Sequence, residues 1–311
     1  NIVTTKKLFG NTYSLFTYTL REWGLEARFT DLTKTDQIKK LIDGRTRAIF
    51  FETITNPQLE VVDIQAIAEV AKAKNVLVIA DTTLTPPCTF RSAEFGVGVE
   101  VLSSTKYISG GATSVGGIII DNGTFDWGAI PKFKEEAKQF GPFTMINHLR
   151  RNVFRNLGSC VSPHNAFMQS VGLETLTLRV DASSANAHKI AVFLEGHKKI
   201  KSVHYPGLKS SPFYEVAKKQ FGSRIGGLVT FDLSSKEECF KFMNGLKLIR
   251  RSTNLNDNRT LIIHPASTIF CEFNDALKKE MDVRETMIRL SVGIEDADDL
   301  IEDIEEALGK I

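Results

Sequence analysis

Cysteine is scarce: Cys88, Cys160, Cys239 and Cys271 are four of 311 residues, far apart and without a CxxC pair. That spacing argues against a zinc ribbon or a disulfide scaffold and leaves free thiols in a reducing, cytoplasmic setting as the expectation. Six histidines with neither HExxH nor another ligand spacing give metal chemistry no support. Excess charge is nearly absent, because 39 basic and 37 acidic residues leave a formal +2. Such a balance offers no argument for nucleic acid or an anionic membrane as partner. Apolar runs stay far short of a membrane span, and no signal-peptide pattern is read at the start. Internal repeats and low-complexity tracts are also missing.

The remaining composition, 42% hydrophobic and 24% charged, suits a globular chain large enough for two domains with substantial cores. Its organising stretch is Val76 to Asp121. Three short apolar runs there, Val76–Ala80, Val99–Leu102 and Gly117–Ile120, are bounded by Gly, Pro and Asp, as buried parallel-type strands are. Polar residues collect at the ends of these runs: Asp81 after the first, then Ser103, Thr105 and Lys106 after the second, with Gly110-Gly111 beyond. Strand ends are where open α/β sheets bind ligands. An acid and a lysine alone could be a structural ion pair. Two short hydroxyl donors beside an amine instead suit a phosphate with an aldehyde close by, which describes pyridoxal phosphate (PLP). Lysine forms a Schiff base with that cofactor, and a carboxylate keeps its ring nitrogen protonated.

Upstream, Thr35 is placed to cap a helix with Ile38, Leu41 and Ile42 on one face and Gly44 at its end. Leu15 to Leu25 also reads as a helix. Arg47 to Phe51 reads as a strand delivering Glu52-Thr53-Ile54-Thr55-Asn56-Pro57, where proline enforces an extended turn. Asp63 starts a helix with Ile64, Ile67, Ala68 and Ala71 on one face. Strand, helix, strand with short links implies a parallel sheet with right-handed crossovers. The Lys132–Lys138 charge run reads as a solvated helix face. From Asp181 helices alternate with isolated strands, including Ser202–Tyr205 and Gly227–Leu233, as in a smaller α/β domain. Asp296 caps a last helix with Leu300, Ile301, Ile304 and Leu308 inward.

The strand-closing Asp81, the SSTKYISGG run and the LFGNTYSLF, GLETLTLR, NLNDNRTLIIHPAST and RLSVG stretches resemble the Cys/Met-metabolism family of PLP enzymes, over nearly the whole chain. The resemblance implies an aminotransferase-like, fold type I α/β architecture. A large domain over 1–178 has a mostly parallel sheet and lacks its N-terminal segment, and a small α/β domain covers 179–311. It implies Lys106 as the Schiff-base lysine, Asp81 as the pyridinium partner, and Ser103 and Thr105 as phosphate ligands. Phe9 falls where an aromatic stacks on the ring, often a Tyr. Asn56 inherits a contact to the cofactor's phenolic oxygen and Glu52 a supporting role. Asn254 and Arg289 fall where the substrate carboxylate is held; arginine suits this because its planar fork binds a carboxylate through two hydrogen bonds. Departures are Thr82 and Asn256, where Asn and Gly are usual, Phe270 for His, and His164 at a commonly apolar position. Leu157 to Val180 matches a long helix between the domains.

The local matches are to the sulfhydrylase branch. They imply γ-replacement on O-acetylhomoserine by sulfide or a thiol, giving homocysteine (or methionine) and acetate, in methionine and cysteine biosynthesis. Elimination of the methionine γ-lyase or cystathionine lyase/synthase type is the alternative, and a non-catalytic scaffold subunit is the alternative of another class. Implied partners are an amino-acid substrate, a sulfur donor that could be sulfide, a thiol or a sulfur-carrier protein, and further copies of the chain in a homodimer or homotetramer with shared sites.

Overall fold

In the computed structural model, which describes Asn1–Ile311, the strands fall into two sheets that are separate along the chain. The first holds β1 (Ile2–Thr4), β2 (Ala27–Phe29), β3 (Ala48–Glu52), β4 (Leu77–Asp81), β5 (Val99–Ser103) and β6 (Gly117–Asp121), in the order β2-β1-β3-β4-β5-β6. Every pair up to β5 is parallel. The unbroken apolar runs follow from burial on both faces. In β3, Ile49 and Phe51 enter the main core, whereas Ala48 and Phe50 enter two smaller clusters on the other face.

β6 departs from the expected parallel strand. It runs antiparallel to β5 and is half-exposed, with Ile119 39% accessible. The link between them contains turns and no helix, and the Ser104 N–H donates to Gly116 O at 3.0 Å, so the chain reverses directly. A parallel return needs a crossover, usually a helix.

The second sheet holds β7 (Ser202–His204), β8 (Leu228–Asp232), β9 (Arg250–Arg251), β10 (Leu261–Ile263) and β11 (Met287–Ser291), in the order β7-β8-β11-β10-β9. Only β9 and β10 pair in parallel. A 45-residue core that includes Val78 and Ala80 of β4 and Ile288 and Leu290 of β11 is continuous between the sheets. Alternation along β11 then turns Arg289 away from that core.

Helix starts follow the capping chemistry in part. Asp63 accepts from the Ala66 N–H at 3.0 Å and starts Ile64–Lys72; Asp296 accepts from the Asp298 N–H at 2.8 Å and starts Ala297–Gly309. Thr35, by contrast, is the first helical residue and caps nothing. Its helix ends at Leu41, before Gly44, where Asp43 accepts from the Arg45 N–H and draws the chain out. The segment from Leu15 is helical through Glu22, with a π-turn over Leu15–Thr19. Leu157 to Val180 is not one helix. Pro163–Glu174 and Leu176–Gly196 meet at Thr175 (φ −111°), whose hydroxyl accepts from Arg179 Nε at 3.0 Å. The second of these helices runs across residues 178 and 179.

Candidate active site

Two carboxylates close neighbouring strands. Parallel register sets Glu52 of β3 opposite Asp81 of β4, so both lie at the C-terminal end of the sheet. Neither makes an ion pair within the chain. Glu52 accepts the N–H of Phe9 at 2.5 Å with one oxygen and that of Asn56 at 3.1 Å with the other. Asp81 accepts the Thr83 N–H at 2.9 Å. Thr83 in turn accepts the Ser103 N–H through its hydroxyl at 2.9 Å, which ties the end of β4 to the end of β5. Burial, then the charge on Asp81, pushes the Glu52 carboxyl up to about 8. Burial also raises Asp81 above the usual carboxylate range.

Lys106 lies in the turn that leaves β5. Two backbone bonds shape this turn, Ser109 N–H to Ser104 O at 3.0 Å and Gly110 N–H to Lys106 O at 3.1 Å. The buried Arg179 clamps it by donating to Tyr107 O and to Gly172 O, both at 2.6 Å. Tyr107 anchors it to the second sheet, its hydroxyl accepting the Gly227 N–H at 2.8 Å. The Lys106 amine donates to Asn254 Oδ1 at 2.6 Å. Burial and then Arg289 lower its pKa, while Asp257 opposes them.

Arg289 is 1% exposed. It donates to Asn56 Oδ1 at 3.1 Å and to the carbonyls of Thr253 and Asn254, both at 3.0 Å. Its Nε is buried without a partner. Burial with no counter-ion pulls the guanidinium below its usual range.

A cavity of about 1270 Å³ joins these parts, and Phe9, Glu52, Asn56, Asp81, Ser103 and Lys106 line it. Asn254 and Arg289 stand just behind its wall, bonded to Lys106 and Asn56. Thr105 is turned aside: its hydroxyl accepts the Gly116 N–H at 3.1 Å and also lies 3.3 Å from Gly116 O. Sequence reasoning does not single out Thr83, Tyr107, Gly172, Arg179 or Asp257. For Gly172 and Arg179 the signal lies in GLETLTLR, where helical periodicity alone assigns the glycine and the arginine no task.

The donor set fits PLP. A half-buried carboxylate that lines the cavity with no cation beside it suits a protonated ring nitrogen, and a lysine whose charged form is disfavoured suits an aldehyde. An orphaned, buried guanidinium nitrogen suits a carboxylate.

The model of the "Cys/Met metabolism PLP-dependent enzyme" family matches residues 1–309. An O-acetyl-L-homoserine sulfhydrylase of Leptospira meyeri is 37% identical over 331 residues, covering all of this chain and 75% of the relative. A cystathionine gamma-lyase of Bacillus subtilis is 34% identical over 311 residues and 76% of its length. Among solved structures, the O-acetylhomoserine sulfhydrylase of Wolinella succinogenes superposes with a TM-score of 0.90 at 45% identity, over 99% of this chain and 84% of that one. A structure from Campylobacter jejuni described as an O-acetylhomoserine (thiol)-lyase, with a TM-score of 0.91 at 33% identity, carries an N'-pyridoxyl-lysine-5'-monophosphate, and the match covers 99% of this chain and 77% of that one. By sequence and by fold, the chain belongs to the Cys/Met-metabolism family of PLP-dependent enzymes.

Proposed function

We propose that the chain is a PLP-dependent transferase of the O-acetylhomoserine sulfhydrylase type, exchanging acetate for sulfide to give homocysteine. The convergence of Lys106 and Asp81 on one cavity, with Arg289 just behind its wall, carries this reading. Lys106 would hold the cofactor covalently, Asp81 its ring nitrogen, Ser103 its phosphate and Asn56 its phenolic oxygen, with Phe9 against the ring. When bound, PLP supplies an electron sink for the pair left at Cα after deprotonation.

The protein's share is to place charge and protons. Arg289, with an unused Nε, grips the substrate carboxylate and orients the Cα–H bond toward Lys106. Lys106, its pKa depressed by burial and by Arg289, is available as an amine to take that proton and to move protons at Cβ. Phe9 offers a flat apolar face and no proton. Acetate is a weak base that departs as an anion without one, which matches a phenylalanine there. A sulfide then bonds to Cγ in its place.

The same reading takes the two sheets as a large and a small domain divided at 178/179. It also includes a second copy of the chain, supported by exposed apolar side chains on consecutive helices: Phe167 at 64%, Leu173 at 49% and Leu178 at 72%. Four free cysteines support a reducing cytoplasm. No helix is long and apolar enough to cross a membrane.

Incubation with O-acetylhomoserine and sulfide, analysed for products, tests the proposal. Homocysteine and acetate are expected, and Lys106→Ala abolishes both turnover and covalent cofactor loading. Release of 2-oxobutanoate and ammonia would establish the lyase reading instead. Assembly without cofactor binding would establish the scaffold reading. Replacing sulfide with a small thiol or a sulfur-carrier protein identifies the donor.

A further inference from the structure

Asn254 is a node between three charged groups. Its side-chain carbonyl accepts from the Lys106 amine at 2.6 Å, its backbone carbonyl accepts from Arg289 at 3.0 Å, and its side-chain Nδ2 donates to Asp257 Oδ2 at 3.3 Å. An amide can turn over and exchange its oxygen for its nitrogen. Turned over, it would aim an N–H at an ammonium and an oxygen at a carboxylate. Asp257 opposes this, because an ionised carboxylate only accepts and an ammonium only donates.

The environment of Asp257 keeps that carboxylate in place. Its side chain is 2% exposed, and its Oδ1 accepts the Arg259 N–H at 3.0 Å and Arg259 Nε at 3.1 Å. Arg259 Nη2 adds a bond to Oδ2 at 3.3 Å while remaining 67% exposed itself. The carboxylate is therefore fixed by its own loop and presents Oδ2 to Asn254.

We infer that Asp257 is a positioning residue which locks the Asn254 amide, so that its carbonyl is the resting place of the Lys106 amine whenever that amine is not attached elsewhere. This rests on the proposed role of Lys106. It also redirects Asn254: with its oxygen on Lys106 and an N–H on Asp257, its side chain serves the lysine before it serves a substrate carboxylate.

The test follows Lys106 and not turnover. Competitive acetylation of the cofactor-free full chain across a pH series, with peptide mapping, reads the fraction of Lys106 present as free amine. Arg289 and Asp257 act on this amine, and Glu52, Asp81 and Arg150 line the same cavity. All of these except Asp257 are unchanged in the key variant, Asp257→Asn. At a pH where Lys106 is mostly protonated, D257N is expected to label three- to tenfold faster, roughly 0.5–1 pK unit. Asn254→Leu should match it, and the double variant should be no faster than N254L alone. Asn254→Asp in the D257N background provides an acceptor that needs no orienting and should restore slow labelling; Asn254→Leu, which leaves Asp257 in place, keeps the test open if D257N folds poorly, since labelling of N254L at the wild-type rate also overturns the inference. A change below threefold in D257N, or two single effects that multiply, overturns the inference. Borohydride reduction of the PLP-loaded wild-type chain checks the underlying role separately: an unmodified Lys106 there sinks the site reading whatever the labelling shows.

Discussion

Gly172→Ala puts the helix clamp on the Lys106 turn to a direct test. A Cβ on Gly172 would stand 2.0 Å from the Ile108 carbonyl oxygen, 3.1 Å from its carbon and 3.2 Å from the Ser109 carbonyl carbon. These are backbone atoms, held by Ser109 N–H to Ser104 O and by Arg179 to Tyr107 O, so no flexible side chain can yield. Either Pro163–Glu174 or the turn must shift by about 1 Å. Overpacking of this kind costs about 1–3 kcal/mol. In a chain of 311 residues that lowers the melting temperature by a few degrees, at about 1.5 °C per kcal/mol. Because the displaced turn carries Lys106, cofactor affinity should fall too, roughly tenfold for each 1.4 kcal/mol of strain that loading must overcome. Thermal denaturation and titration of the bound cofactor's visible absorbance measure the two effects. Gly196→Ala is the control, since a Cβ there meets nothing within 4 Å. Melting and loading of G172A indistinguishable from wild type would refute the clamp.

Three further outcomes are expected. Arg289→Met should leave cofactor loading near normal and raise KM for the amino-acid substrate roughly 10- to 100-fold, the loss of one charge-assisted hydrogen bond from the free Nε at about 1.5–3 kcal/mol; an unchanged KM removes Arg289 from the carboxylate site. With Glu52 raised to about 8 in the fold from an ordinary 4.5, the native state holds the extra proton between those values. Stability of the cofactor-free protein should therefore fall as pH rises from about 5 to 8, by at most about 4 kcal/mol, while Glu52→Gln flattens the curve. Parallel curves would show that Glu52 is not the group responsible. Tyr107→Phe strands the Gly227 N–H and should cost about 1–3 kcal/mol; calorimetry of the variant reads this, and an unaltered melting temperature would mean that another group takes that bond.

Several features of the fold are legible in the sequence because their causes are local. Continuous apolar runs in β3 and β4 require burial on both faces, and Asp63 and Asp296 announce helix starts by side-chain chemistry. Sequence and structure part where composition leaves more than one local path open. Gly117–Ile120 has the composition of a buried strand, yet its direction depends on whether the preceding link folds as a helix or as turns. Thr35 has the right side chain for a cap but falls one residue inside the helix. Leu157 to Val180 loses its continuity at Thr175 through a bond to Arg179.

The order of residues along the chain determined that an acid, two hydroxyls and a lysine stand at strand ends, since side-chain alternation and strand length are properties of neighbours. It also carried the family resemblance, and with it the cofactor. Only the packing of one sheet against the other decided what surrounds Lys106: Asn254, 148 residues away, accepts a hydrogen bond from its amine, and Arg289 reaches Asn56 across 233 residues. Contacts that distant are chosen by the shared core that presses β4 toward β11, and no local pattern encodes which buried polar groups will meet when that core closes.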